Sequence, residues 1–203
     1  MDEETEFRNP RGPRAVPGNY SVRLTVDGKA QIQSLEVVMD PRSPATPEIL
    51  LQQLQLGQQI FAETMEARRA LAEIGSLRKQ LLDVAQKVGA KDSAIKLALA
   101  DAQTEISKIE TRPGGVAQAA GLQDAFADMA SALRVVEVGD RAVPSQAIAV
   151  YHESSEQVKI AIAEWSEFKT TKLRRLNQQL SEAGLAPIVI SEIEQEVQFL
   201  MSR

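Results

Sequence analysis

The sequence predicts a mainly α protein: an antiparallel three- or four-helix bundle with two long helices, preceded by a β-hairpin. Three observations carry this. Apolar residues recur at alternating steps of three and four over residues 56 to 88, the spacing of a buried helical seam. Ala, Leu, Gln and Glu are plentiful between residues 46 and 137 while aromatics make up only 4% of the chain, the composition of long helices. Strict two-residue alternation is confined to the front, in "YSVRLTVDGK".

Residues 1–16 are charged and punctuated by Pro10, Gly12 and Pro13, and read as a loose leader. From Tyr20, the residues Tyr20, Val22, Leu24 and Val26 fall on one face and Ser21, Arg23 and Thr25 on the other, a half-buried strand. Asp27-Gly28 is a hairpin turn signal, since primed turns need positive φ, and a second strand follows from Ile32 to Val38. Leu35, Val37 and Met39 run out of phase with Ile32, which predicts a bulge near Ser34. A lone hairpin is marginal in water, so sister strands or a helical surface are expected to cover its apolar face.

Residues 41–47 form a stiff Pro-rich linker, with Thr46 placed to cap a helix and Pro47 at its first position. The helix that follows carries Leu56, Ile60, Ala67, Ala70, Ile74, Leu77, Leu81, Val84 and Val88 as a stripe, with Glu63 as its single break. Over residues 47–88 it would extend about 60 Å at ~1.5 Å per residue. Gly57 and Gly75 within it are read as points where a neighbouring helix approaches closely.

Gly89 ends that helix, and Asp92 or Ser93 begins a shorter one with Ile95, Leu99, Ala102, Ile106 and Ile109 on its seam. "TRPGG" at 111–115 stops it. A third helix presents Leu122, Phe126, Met129, Leu133 and Val136. The fourth runs from about Ser145 to Ala183, with Tyr151, Val158, Ile162, Trp165, Phe168, Leu173, Leu176 and Leu180 available for burial and Gly184 as its stop. If the short pair fold back on each other the bundle is four-stranded at one end; if they run end to end it is three-stranded. The helical bundle is thus assigned to residues 48–186, and residues 187–203 to a short C-terminal helix with a Ser191/Glu194 capping box and Ile193, Val197 and Leu200 on one face.

Composition narrows the function. A net charge of −5 and a pI near 5.1 speak against nucleic acid or an anionic membrane as partner, since both need a concentrated basic surface. Lys169, Lys172, Arg174 and Arg175 stand at helical spacing and are read as a solvated face. The chain has no cysteine, so disulfide and thiolate chemistry are out of reach. No stretch approaches the ~20 apolar residues of a membrane span.

Catalytic chemistry is not expected. His152 is the single histidine, and zinc, non-haem iron and di-iron sites mostly need two or more imidazoles. Glu156 one turn on would complete half a metal site, and the other half is missing. No G-x-S-x-G elbow supports a Ser-His-Asp arrangement, and no carboxylate pair stands out from surface charge. "RPGGVAQAAG" at 112–121 lacks the Lys-Ser/Thr ending of a phosphate loop and is read as a turn between helices. Trp165, between Ile162 and Phe168, is assigned to the core rather than to an interface. No catalytic, metal or cofactor-binding residue is assigned, and no cofactor.

Residues 12–42, "GPRAVPGNYSVRLTVDGKAQIQSLEVVMDPR", resemble the C-terminal module of large bacterial proteins whose N-terminal part is a sortilin-like β-propeller with Asp-box (BNR) repeats, often labelled glycosyl hydrolase or sialidase-like. "GDRAVPSQAIAVYHESSEQV" at 139–158 and "LNQQLSEAGLAPI" at 176–188 are similar to that family's last long helix and its end. The resemblance implies that residues 17–40 are part of an immunoglobulin-like sheet, that Met1 lies inside an exported parent chain, secreted or periplasmic, and that the parent's propeller is the partner, with another protein as a further one. The Asp-box repeats are absent from these 203 residues, so no active-site residue carries over. The expected function is a non-catalytic structural or interaction module. The alternative is a free-standing coiled-coil scaffold or adaptor that dimerises through the stripe at residues 56–88.

Overall fold

The computed structural model describes residues 12–88, 92–112 and 120–190. Two strands, β1 (Gly18–Val26) and β2 (Lys29–Val37), precede the described helices: α1 (Pro47–Lys87), α2 (Ser93–Thr111), α3 (Leu122–Val136), α4 (Ser145–Phe168), a π-helical stretch (Lys169–Leu173) and α5 (Arg174–Glu182). The last three are one continuous rod.

The hairpin is antiparallel with an unbroken register, Tyr20 opposite Leu35, Val22 opposite Gln33 and Arg23 opposite Ile32. Asp27 and Gly28 both take positive φ, 49° and 77°, so the two-residue turn is of the primed kind that matches strand twist. The bulge expected near Ser34 is absent. Ile32 is out of phase because it sits opposite Arg23, on the face away from Val22, and the pleat needs no insertion to place it there. The strands are also not half-buried: Val22, Leu24, Val26 and Leu35 are 50%, 63%, 56% and 50% exposed. The hairpin stands off the bundle, and no described element forms a second layer over it.

Thr46 caps α1, its Oγ1 accepting from the Ile49 N–H at 3.4 Å, with Pro47 at the first helical position. Ile60, Ala67, Ala70, Ile74, Leu77 and Leu81 are all buried, as the stripe predicts. Partners along the chain settle the strand number. Arg78 pairs with Glu110 on α2 and Gln53 reaches the Val136 carbonyl at the end of α3, so α2 and α3 run head to tail down the side of α1. Arg112 pairs with Glu164, and Lys172 with Asp101 at 3.5 Å, so the α4–α5 rod returns antiparallel to α2. The bundle is three-stranded, and its two long helices are parallel to each other.

The close backbone approach expected at Gly57 or Gly75 occurs at neither. A Cβ at Gly75 would meet nothing within 4 Å, and the space over Gly57 is filled by the Glu137 side chain and Pro13. It occurs at Gly121, where a Cβ would lie 2.6 Å from the Glu110 carbonyl oxygen and 2.8 Å from Thr111 Cα, as α3 starts against the end of α2. Residues 12–16 are not a loose leader either. The Arg14 N–H donates to Glu137 Oε2 at 2.8 Å and its guanidinium to the Glu137 carbonyl at 3.3 Å, fastening the strand entry to the end of α3. Gly184, at φ 74°, ends the rod as expected. Residues 187–190 carry no regular secondary structure; Gly89, Pro113–Gly115, the Ser191 capping box and the helix expected after it lie outside the described residues.

Candidate functional site

The residues with the means for chemistry do not converge. His152 is exposed on α4, its ring tilted against Tyr151 at 5.2 Å, and Glu156 is engaged with Lys159 at 2.9 Å. Among the described residues no three His, Asp or Glu side chains gather closely enough to hold a metal ion. The serines at 154 and 155 are buried on the helix seam, and neither is hydrogen-bonded to His152.

What α1 and α4 bring together instead is a pair of buried polar links. Glu63, the break in the apolar stripe, accepts the Tyr151 hydroxyl at 2.9 Å. Burial, and then the neighbouring Glu63 carboxylate, push the Tyr151 hydroxyl up to about 12. Three turns along, the buried Glu73 accepts from Trp165 Nε1 at 2.8 Å and from Lys169 Nζ at 2.9 Å on the same oxygen. Lys169 lies 5.4 Å over the Trp165 ring, and Trp165 stacks on Phe168 at 5.5 Å. Trp165 is therefore core, as assigned, but Lys169 is not part of a solvated basic face. Glu73 carries no signal of its own in the sequence; the signal is Trp165, since a buried indole N–H requires an acceptor.

Concavities among the described residues lie at both the bundle and the hairpin root. A groove of about 510 Å³ runs between α2 and the α4–π stretch, lined by Ile109, Phe168 and Thr171 among charged neighbours. Its cations are already matched: Lys108 with Glu105, Arg112 with Glu164, Lys172 with Asp101. A smaller cavity of about 110 Å³ lies at the root of the hairpin, between Val16, Val37 and Met39 on one side and Leu50, Gln53 and Glu137 on the other. Gln53, buried, closes this joint by donating to the Val136 carbonyl and to the Gly139 carbonyl at 2.9 Å. Asp40 braces the exit of β2, accepting from the Arg42 N–H at 3.0 Å and guanidinium at 2.9 Å, and Arg42 holds its carboxyl below the usual range.

The candidate functional site is thus a surface. Because opposed residues share a face, Tyr20, Val22, Leu24 and Val26 lie on one sheet face with Leu35 and Val37 and with Gln31, Gln33 and Lys29; Tyr20 and Val37 at its root are half-buried, while Val22, Leu24, Val26 and Leu35 are exposed. The joint at Arg14, Glu137 and Gln53 presents it on a fixed base, at one end of the bundle. In contrast, the stripe at residues 56–88 is turned into the same chain's α2, α3 and α4.

No family model, no curated protein and no solved structure matches the chain. No described helix is long and apolar enough to cross a membrane.

Proposed function

We propose that this chain is a non-catalytic interaction module, the C-terminal part of a larger exported β-propeller protein of the Asp-box kind, in which the hairpin joins an immunoglobulin-like sheet and the bundle props that sheet. The observation that carries this reading is the uncovered face of Val22, Leu24, Val26 and Leu35. Exposed aliphatic residues side by side on a strand pair leave apolar area in water and a row of unpaired backbone groups at each edge, both of which further strands would satisfy. The resemblance of residues 12–42 names a source for those strands: the parent chain's own sheet. The long parallel helices serve the sheet through the Arg14–Glu137 and Gln53 joint, which transmits position and contains no reacting group. On this reading the isolated chain hydrolyses no glycoside, and the protein acts in the periplasm or outside the cell.

The scaffold alternative would need the 56–88 stripe at a dimer interface, and no observation favours it. The test is the coding frame that contains residue 1. Asp-box repeats encoded upstream in the same frame are the expected finding; an in-frame stop followed by a ribosome-binding site directly ahead of Met1 would overturn the proposal.

A further inference from the structure

After Gly184 the chain leaves α5, and Leu185 to Ile190 run in neither helix nor ladder, with Ile188 and Val189 held between α5 and α1. Two side-chain amides hold it. Asn177 on α5 accepts from the Ile188 N–H at 2.8 Å and donates to the Ile188 carbonyl at 2.9 Å. Gln80 on α1 accepts from the Val189 N–H at 3.1 Å and donates to the Val189 carbonyl at 2.7 Å. Successive residues of an extended chain aim their backbone groups at opposite edges. One amide therefore reads each edge, as a neighbouring strand would in a sheet. The side chains alternate in the same way: Ile188 is 3% exposed in the core, and Val189 is 62% exposed. Backbone bonds for grip and one apolar pocket for selectivity are how proteins recognise extended peptides.

The segment is also separable from the helix it follows. The Gly184 N–H bonds to the Ser181 carbonyl at 3.0 Å and the Leu185 N–H to the Leu180 carbonyl at 2.8 Å, so the end of α5 is capped before Ala186. Ala186 and Pro187 are exposed. We propose that the α1–α5 groove is a peptide-binding site closed in cis by Leu185–Ile190, whose ligand in trans is an extended aliphatic segment of a partner protein with a branched residue in the Ile188 pocket. This site lies on the bundle and does not depend on the hairpin reading above.

The test uses the full chain carrying Ile188→Asp, which expels its own segment, and a fluorescent peptide of sequence LAPIVI as probe. Fluorescence anisotropy is expected to show the peptide binding the variant at least tenfold more tightly than the wild type, with binding lost when Gln80→Ala and Asn177→Ala are added. Equal binding to all three proteins, or loss of helical circular dichroism in Ile188→Asp alone, would overturn it. Hydrogen exchange on the wild type gives a second check: the Ile188 and Val189 amides should exchange at least a hundredfold faster than the Leu77 amide, and equal protection contradicts a detachable segment. A wild-type dimer that the peptide dissociates would give the groove to a second copy's segment and overturn the foreign-ligand assignment.

Discussion

Tyr151 and Trp165 are the largest fully buried side chains, and each needs a polar partner because its ring carries a hydrogen-bonding group into the core. Glu63 and Glu73 supply those partners from α1, one for each ring. For Tyr151 the consequence is a pH dependence. The folded state holds the phenol proton more tightly than the unfolded chain does, so stability is full below pH ~10 and falls as pH rises from there through about 12. In a Tyr20→Phe variant, where Tyr151 is the sole tyrosine, absorbance at 295 nm should rise near pH 12, and earlier once Glu63→Gln is added; a midpoint near 10 in both would contradict the link. Glu73→Ala strands the indole N–H and the Lys169 ammonium, and we expect it to cost about 1–3 kcal/mol in urea unfolding. Lys169→Met leaves the indole bond in place but takes the counter-charge from the buried Glu73 carboxylate, and should also cost about 1–3 kcal/mol although Lys169 itself is a third exposed. At this scale the sequence was half legible. Trp165 belongs to the core by its neighbours, but its acceptor lies 92 positions away, and only tertiary packing selects Glu73 from the many carboxylates of α1.

Among the elements, the helices were readable because a seam period states itself in any window of a few turns, and caps such as Thr46-Pro47 and Gly184 mark the ends. The π-helical stretch has no local residue signal, although its cause is in the sequence. The buried residues Trp165, Phe168, Leu173, Leu176 and Leu180 step by three, five, three and four, and a five-residue step in a regular α-helix would carry Leu173 off the seam. One wider turn at Lys169–Leu173 absorbs the extra residue and returns Leu173 to the core. Deleting Thr170 should therefore convert the stretch to plain α-helix with the seam intact, changing the melting temperature by less than about 4 °C. Deleting Ala163 from the regular part rotates every later seam residue by ~100° and should abolish cooperative melting. Equal tolerance of the two deletions, followed by circular dichroism, would refute this origin of the π turn. The hairpin was legible in its turn and alternation but not in its exposure, because alternation reports which side is apolar and says nothing about what lies against it. Leu24→Lys with Leu35→Lys should accordingly leave the stability of the isolated chain within ~0.5 kcal/mol, as judged by urea denaturation.

For the molecule as a whole, the order of helices follows from connection length: α2 and α3 are each too short to match α1, so together they line it once, and the rod from Ser145 to Glu182 closes the third side. The question of three or four strands was open in the sequence because both arrangements bury the same seams; the ion pairs Arg78–Glu110 and Arg112–Glu164 distinguish them. The resulting body has an apolar core closed by its own helices, an exposed hairpin, and a groove between α1 and α5 that the chain's own Ile188 and Val189 fill through Gln80 and Asn177. Its central feature is that the α1 seam is closed within one polypeptide. Static light scattering with circular dichroism on Leu77→Asp/Leu81→Asp tests this most directly. The double variant should lose its helical signal whatever the mass of the wild type, since charge then enters the fold's own core. A variant that stays fully helical while its mass falls to half that of the wild type would show that the seam joins two chains, and would contradict the account.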